Sequence, residues 1–316
     1  MLPMNRSLFA AASFALPCVL AAILSVPGCS PAPVKKPIDK QTQPKETPAA
    51  PAAKSADAPA APAATPPKKP AEPAAQPAEP APKVGSDASA ALPKVSVFAP
   101  AVDLANQADY YVKELEKTVA NEEEYKDGEG KIAKDSNTLI VIALALGLHD
   151  QDSKYKARAG AVMKAAQELA ATKSFASAKK AVAAVREAAE GEGKAGGELK
   201  WQKVAALPEL MKQVPLINTK LKRYVKGEKF KSKAKDTAGY TAVIAVIAQG
   251  TMSDTSATKS PDQVKQWQEF SVAMRDDAAA VNAAIHKGDE AAADAAMTKL
   301  NQSCEDCHAV FKPELK

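Results

Sequence analysis

The chain has 316 residues, with 24 prolines but only 4 cysteines, 3 histidines and 2 tryptophans. Four cysteines are too few for a disulfide-stapled secreted scaffold, and 5% aromatic residues leave little for a base-stacking surface. The formal charge of +5 is uneven: residues 1–94 hold 10 Lys and Arg against 6 Asp and Glu, whereas residues 95–316 hold 32 against 31. The second part is therefore near neutral, and nucleic acid is excluded as a general partner.

Arg6 precedes an apolar stretch from Leu8 to Val26 that is interrupted by Pro17 and closed by Pro27 and Gly28 before Cys29. A charged start, an apolar middle and small residues at the end describe an export signal over residues 1–28 rather than a permanent span. Val26-Pro27-Gly28-Cys29 resembles a bacterial lipobox, which implies that Cys29 is acylated and becomes the mature N-terminus. An ordinary cleaved signal with an incidental cysteine is the alternative. Either way the mature protein is expected on the periplasmic side of a bacterial membrane, lipid-anchored or exported, and Cys18 is lost with the leader.

Sixteen of the prolines lie between Ser30 and Lys94, among alanines and lysines. Proline at this density removes amide donors and fixes φ, so residues 29–94 are expected to form a disordered, partly polyproline II tether. At ~3 Å per residue its full reach is on the order of 200 Å.

After Pro100 the chain is rich in Ala, Lys, Glu and Leu. Four amphipathic stretches run from Asp103 to Glu190, with breaks near Asp127-Gly128, His149 to Ser153 and Thr172 to Ser174. Four more run from Pro208 to Phe311, with breaks near Gly227, Gly250 to Ser260 and Lys287-Gly288. Short loops favour antiparallel neighbours, so an all-α fold of two tandem antiparallel four-helix bundles is expected, over residues 95–198 and 199–316, joined at Gly191 to Gly197. Ala133-Lys134-Asp135-Ser136 parallels Ala234-Lys235-Asp236-Thr237, which suggests a duplication; one long helical array is the alternative. The basic run from Lys220 to Lys235 reads as a solvated surface, with a docking site for an acidic redox partner as the other reading.

Cys304-Glu305-Asp306-Cys307-His308 is a Cys-x-x-Cys-His run, the attachment signature of c-type haem. The spacing follows the chemistry: two thiols add to two vinyl groups at one edge of a porphyrin, and the adjacent imidazole binds iron. On a helix Cys304, Cys307, His308 and Phe311 fall at i, i+3, i+4 and i+7, so one stripe carries both thioethers, the ligand and an aromatic ring. A thioredoxin-like dithiol needs a βαβ context, and nothing nearby reads as strand. Structural zinc needs about four ligands, and the folded part adds only His149 and His286. A disulfide between Cys304 and Cys307 leaves His308 without a role.

Leu300 to Lys312, with the motif on the last helix and the basic Lys312 four places after His308, resembles the C-terminal helix of the cytochrome c′ (class II cytochrome c) family. The resemblance covers residues 200–316. It implies one covalently attached haem c held by Cys304 and Cys307, with His308 as proximal iron ligand, electron transfer, and in some members binding of small gases. The first block has no cysteine and departs from the family. Iron in such proteins is five-coordinate or takes a methionine from the first helix, which makes Met211 the candidate sixth ligand and Met252 a second one. A core residue beside Leu207, Leu210 and Val214 is the other role for Met211. His286 is ~28 Å along its helix from Trp267 and a poor ligand by distance. Trp267, Phe270, Phe311 and Tyr240 are expected to pack around the porphyrin, with ordinary bundle core as the alternative. Lys312 is expected to meet a propionate or cover the proximal side of the ring, or else to be an exposed terminal lysine.

The leading functional expectation is an electron carrier, not an enzyme, outside the cytoplasm. Its expected partners are extracytoplasmic redox proteins and the membrane, with a homodimer as a further candidate. The alternatives are a five-coordinate haem protein for NO or CO, and an interaction lipoprotein whose first bundle is the working surface.

Overall fold

Helix caps mark most of the boundaries in the computed structural model, which describes residues 93–192 and 198–312. The leader, the tether with Cys29, and the centre of the expected joint lie outside the described residues. α1 (Ala101–Thr118) follows Pro100, and α2 (Glu122–Leu148) starts where the Asn121 side chain accepts from Glu124 N at 2.9 Å. α3 (Ala159–Ala170) is followed by α4 (Phe175–Glu190), whose start is held by a reciprocal Ser174–Ser177 capping box. α5 (Leu207–Tyr224) opens with Pro208 in its first turn. A left-handed Gly227 separates α5 from the single turn α6 (Lys229–Ser232) and from α7 (Ala234–Thr251). α8 (Pro261–Lys287) is capped by Ser260 and α9 (Glu290–Phe311) by Asp289. All regular structure among the described residues is helical, so this part of the chain is all-α.

One expected break is not there. α2 continues through Asp127-Gly128, and the chain turns instead at Val119 to Asn121. Gly128 serves close packing rather than a turn, because a Cβ at that position would run into the Thr118 side chain.

α1 packs on α2, α2 on α3, and α3 on α4, which returns to α1. In the second group α7 packs on α5 and α8, and α8 packs on α9. The groups meet where α1 lies on α7 and α2 lies on both α5 and α7, and a single hydrophobic cluster runs through both. The helices at this junction show why. Every residue of α7 from Thr237 to Thr251 is buried, as is every residue of α2 from Asp135 to Leu146. Helices apolar on all sides belong in an interior, and each fully buried Leu, Ile or Val there contributes about 1.5–3 kcal/mol.

The junction also holds polar groups. Asn282 Nδ2 donates to Asp103 Oδ2 at 3.0 Å and to Ala238 O at 2.8 Å, and His286 Nε2 lies 2.7 Å from the same Asp103 oxygen. Gln213 Nε2 donates to Tyr111 Oη at 2.9 Å and faces Asp135 Oδ1 at 3.5 Å, leaving Asp135 Oδ2 buried without a partner. Burial pushes the Asp135 carboxyl up from 3.8 to about 6, with Glu114 adding to the rise and Lys131, Lys134 and Lys220 opposing it.

An acid whose folded pKa is raised favours folding while protonated. Its contribution is present below about pH 4 and is lost as pH climbs toward 6. Unfolding free energy from denaturant titrations is therefore expected to carry a loss on the order of 3 kcal/mol across that window, at 1.36 kcal/mol per pKa unit, that Asp135→Asn removes. Identical pH profiles for the two proteins would contradict this account of Asp135.

Candidate functional site

α8 and α9 form an antiparallel pair whose register is set at their connection. Gly288 adopts φ 70° and ψ 20°, the left-handed conformation a C-terminal glycine supplies without strain, and Asp289 caps α9 by accepting from Ala292 N at 2.9 Å. Counting outward from this turn brings Trp267 of α8 opposite Phe311 of α9. Their rings meet edge to face at 5.2 Å, and Phe270 meets Phe311 at 6.3 Å.

A cavity of about 230 Å³ lies between α5, α8, α9 and the end of α7. α9 presents Asn301, Ser303, Cys304, Glu305, Cys307 and His308; α8 presents Trp267, Phe270, Ser271 and Met274. α5 forms the facing wall with Met211, Val214, Pro215, Asn218 and Lys222, and Thr251 closes the α7 side. Trp267 Nε1 donates to Thr251 O at 3.0 Å, tying the floor of α8 to α7, while Asn218 Nδ2 donates to Asn301 Oδ1 at 2.9 Å across the cavity edge. The space is a cleft partly open to solvent, with a mostly apolar lining.

Pro215 shapes the α5 wall. Lacking an N–H, it leaves the Met211 carbonyl without its usual intrahelical donor, and its ring crowds that carbonyl, although α5 continues through it to Tyr224.

Both cysteines are half-buried and neither is in a disulfide. Burial raises the Cys304 thiol, Asp277 and Glu305 raise it further, and Lys222 opposes them. Burial, with Cys304 as neighbour, pushes Cys307 up to about 11. Both sulfurs are thus protonated near neutral pH, unlike the activated thiolates of redox enzymes. Among the described residues no group of three or more His, Cys, Asp or Glu side chains is arranged to hold a metal ion by itself.

The cavity brings together Cys304, Cys307, His308, Met211, Trp267 and Phe270, with Phe311 backing the two aromatic walls. Lys312 is exposed at the end of α9, where its N–H closes the helix on His308 O at 2.9 Å. Met252 caps α7 and does not line the cavity. Tyr240 does not belong with the cavity aromatics. It lies near the start of α7, about 16 Å before Thr251 at 1.5 Å per residue, and packs edge to face with Tyr110 of α1. His286 is held at the junction by Asp103, and His149 is buried with Nε2 2.9 Å from Ala99 O.

Several lining residues escaped the sequence reading, including Asn218, Lys222, Ser271, Met274 and Asn301. Helical period would have found most of them, since Asn218 and Lys222 extend the stripe of Met211 and Pro215, and Ser271 and Met274 extend that of Trp267. A stretch of about 230 Å³ of unpacked space cannot be read from a stripe at all.

The residues fit a flat, mostly apolar group bound through thioethers: two neutral thiols and an imidazole on one wall, a thioether sulfur on the other, and aromatic rings between them. Comparison of the chain with protein-family models, with curated proteins and with solved structures returned no match.

With thiols this protonated, iodoacetamide should alkylate the cofactor-free chain at pH 8 on the order of 100-fold more slowly at Cys307 than an unperturbed cysteine, accelerating as pH approaches 11. Rapid labelling of Cys307 at pH 7, followed by peptide mapping, would contradict the burial argument.

Proposed function

We propose that the chain is a c-type cytochrome carrying one covalently attached haem c on α9 and transferring electrons outside the cytoplasm. The observation that carries the reading is the Cys304–Cys307–His308 face of α9 lining an apolar cavity with Met211 on the opposite wall. Haem bound there would supply a one-electron iron couple. Cys304 and Cys307 would hold the haem covalently through two thioether bonds. His308 and, from α5, Met211 would be the protein's ligands to its iron. A thioether in that place raises the potential, which suits a carrier. Trp267, Phe270 and Phe311 exclude water from the site, while Lys222 at the rim and Lys312 beyond the motif are the basic residues for the propionates.

In this reading residues 95–198 and 199–316 are two tandem antiparallel four-helix bundles, the second of cytochrome c′ type. Residues 1–28 are the export signal, and the tether from Cys29 to Lys94 holds the bundles at the periplasmic face of a membrane through a lipid on Cys29. The charge balance of residues 95–316, 32 basic against 31 acidic, favours protein redox partners over nucleic acid.

Expression in a host that attaches haem should give one haem per chain in a pyridine haemochrome assay, with Cys304→Ala/Cys307→Ala losing covalent haem. A low-spin ferric spectrum is expected to turn high-spin in Met211→Ala. Protein without covalent haem would overturn the reading, and a wild-type high-spin spectrum that binds carbon monoxide at once would replace Met211 ligation by a gas-binding site.

A further inference from the structure

The first helical group takes no part in the cavity, and its role follows from how it meets the second group. Buried positions of α1 recur on α5 at a constant spacing of 106 residues: Leu104 with Leu210, Gln107 with Gln213, Leu115 with Leu221. α2 recurs as α7 at a spacing of 101, where Asp135-Ser136 aligns with Asp236-Thr237. The contacts between groups follow the same correspondence. α1 packs on α7 while α2 packs on α5, and α2 and α7 meet each other directly. A pattern in which one element touches the counterpart of a second, and that second touches the counterpart of the first, is the pattern of an isologous two-fold interface.

The matched glutamines do matching work across it. Gln107 of α1 reaches α7 and lies so close to Gly239 that a Cβ there would collide with its amide. Gln213 of α5 reaches α2, where Nε2 faces Asp135 Oδ1 at 3.5 Å. Each leaves its Oε1 buried without a partner. Two buried glutamines, each crossing to the other group from the same helical position, are what a duplicated self-complementary face would leave behind.

The copies differ where pairing with each other must outcompete pairing with a second molecule. Lys220 sits over the rings of Tyr110 at 5.3 Å and Tyr240 at 4.8 Å. The counterpart of Tyr110 in the second group is Leu216, which is exposed. Asp103 of the first group holds His286, whereas its counterpart Glu209 holds only its neighbour Lys212. In two second groups facing each other, Leu216 would stand where Tyr110 meets Lys220, and the longer Glu209 where Asp103 meets His286, which biases the interface toward the unlike pair.

We propose that the first group is a built-in dimer partner: it covers within the chain the face of α5 and α7 that would otherwise pair with a second copy. The cysteine-bearing site then sits in a self-contained monomer, and the haem-less half is retained for this interface. The inference does not depend on the cofactor.

Sedimentation equilibrium on the full chain should give a monomer through the micromolar range. Gln107→Arg, made on the first group and too long to fit against Gly239 of α7, should give a concentration-dependent dimer with helical content retained. Because that substitution is made at a packed position, Tyr110→Ala with Asp103→Ala provides a second route: both changes lie on the first group, so they weaken only the unlike pair and should raise self-association at least tenfold. A wild-type chain that is dimeric through α5 and α7 would overturn the proposal, as would folded variants that remain monomeric.

Discussion

The burial of α7 on every side is the constraint from which the rest of the arrangement follows. A helix carrying Val243, Ile244, Val246 and Ile247 on successive faces cannot leave any face in water, so it must be surrounded. α5 and α8 cover it within the second group, and α1 and α2 of the first group cover what remains. Some polar groups admitted to this junction have partners at hand, such as Asn282 with Asp103 and the Ala238 carbonyl, whereas Gln107 and Gln213 each keep a buried Oε1 without one. Asp135, whose second oxygen has none, responds by holding its proton more tightly.

The same helix positions the cavity. Its last residue, Thr251, anchors the Trp267 indole, and α8 carries that tryptophan into register with α9 through the Gly288–Asp289 turn. α5 stands off from α9 around Pro215, and the gap between them is the cavity. A group filling it would add stability as well as function: at ~24 cal/mol per Å³ a volume of about 230 Å³ corresponds to at most on the order of 5 kcal/mol, less for the part open to solvent. That is comparable with the whole stability of a small domain, so cofactor attachment and folding of the second group are expected to be coupled.

Periodicity and punctuation made most of the helices legible. Ser174, Ser260, Gly288 and Pro208 all mark ends where capping chemistry requires them, and the Cys-x-x-Cys-His stripe marked the face of α9 that meets the cavity. Gly128 misled because glycine serves two purposes, turning a chain and letting helices approach, and only the neighbouring Thr118 side chain shows which applies. Tyr240 was placed with the wrong aromatics for a related reason. Sequence gives its helix and its buried face, but on a helix buried all round every face is buried, and only the packing of α1 decides which neighbour it meets. The reciprocal contacts between the two groups were hinted at by one repeated tetrapeptide, yet the correspondence of Gln107 with Gln213 emerges only when burial is compared position by position.

The central claim is that Cys304 and Cys307 hold haem on α9. Mass spectrometry of the tryptic fragment from Leu300 to Lys316, which trypsin leaves uncut at Lys312-Pro313, taken from protein matured in a haem-attaching host, tests it at the atoms concerned. The account predicts this fragment heavier by one haem, with both thiols unavailable to alkylation after reduction. A fragment of unmodified mass whose two cysteines both alkylate would contradict it.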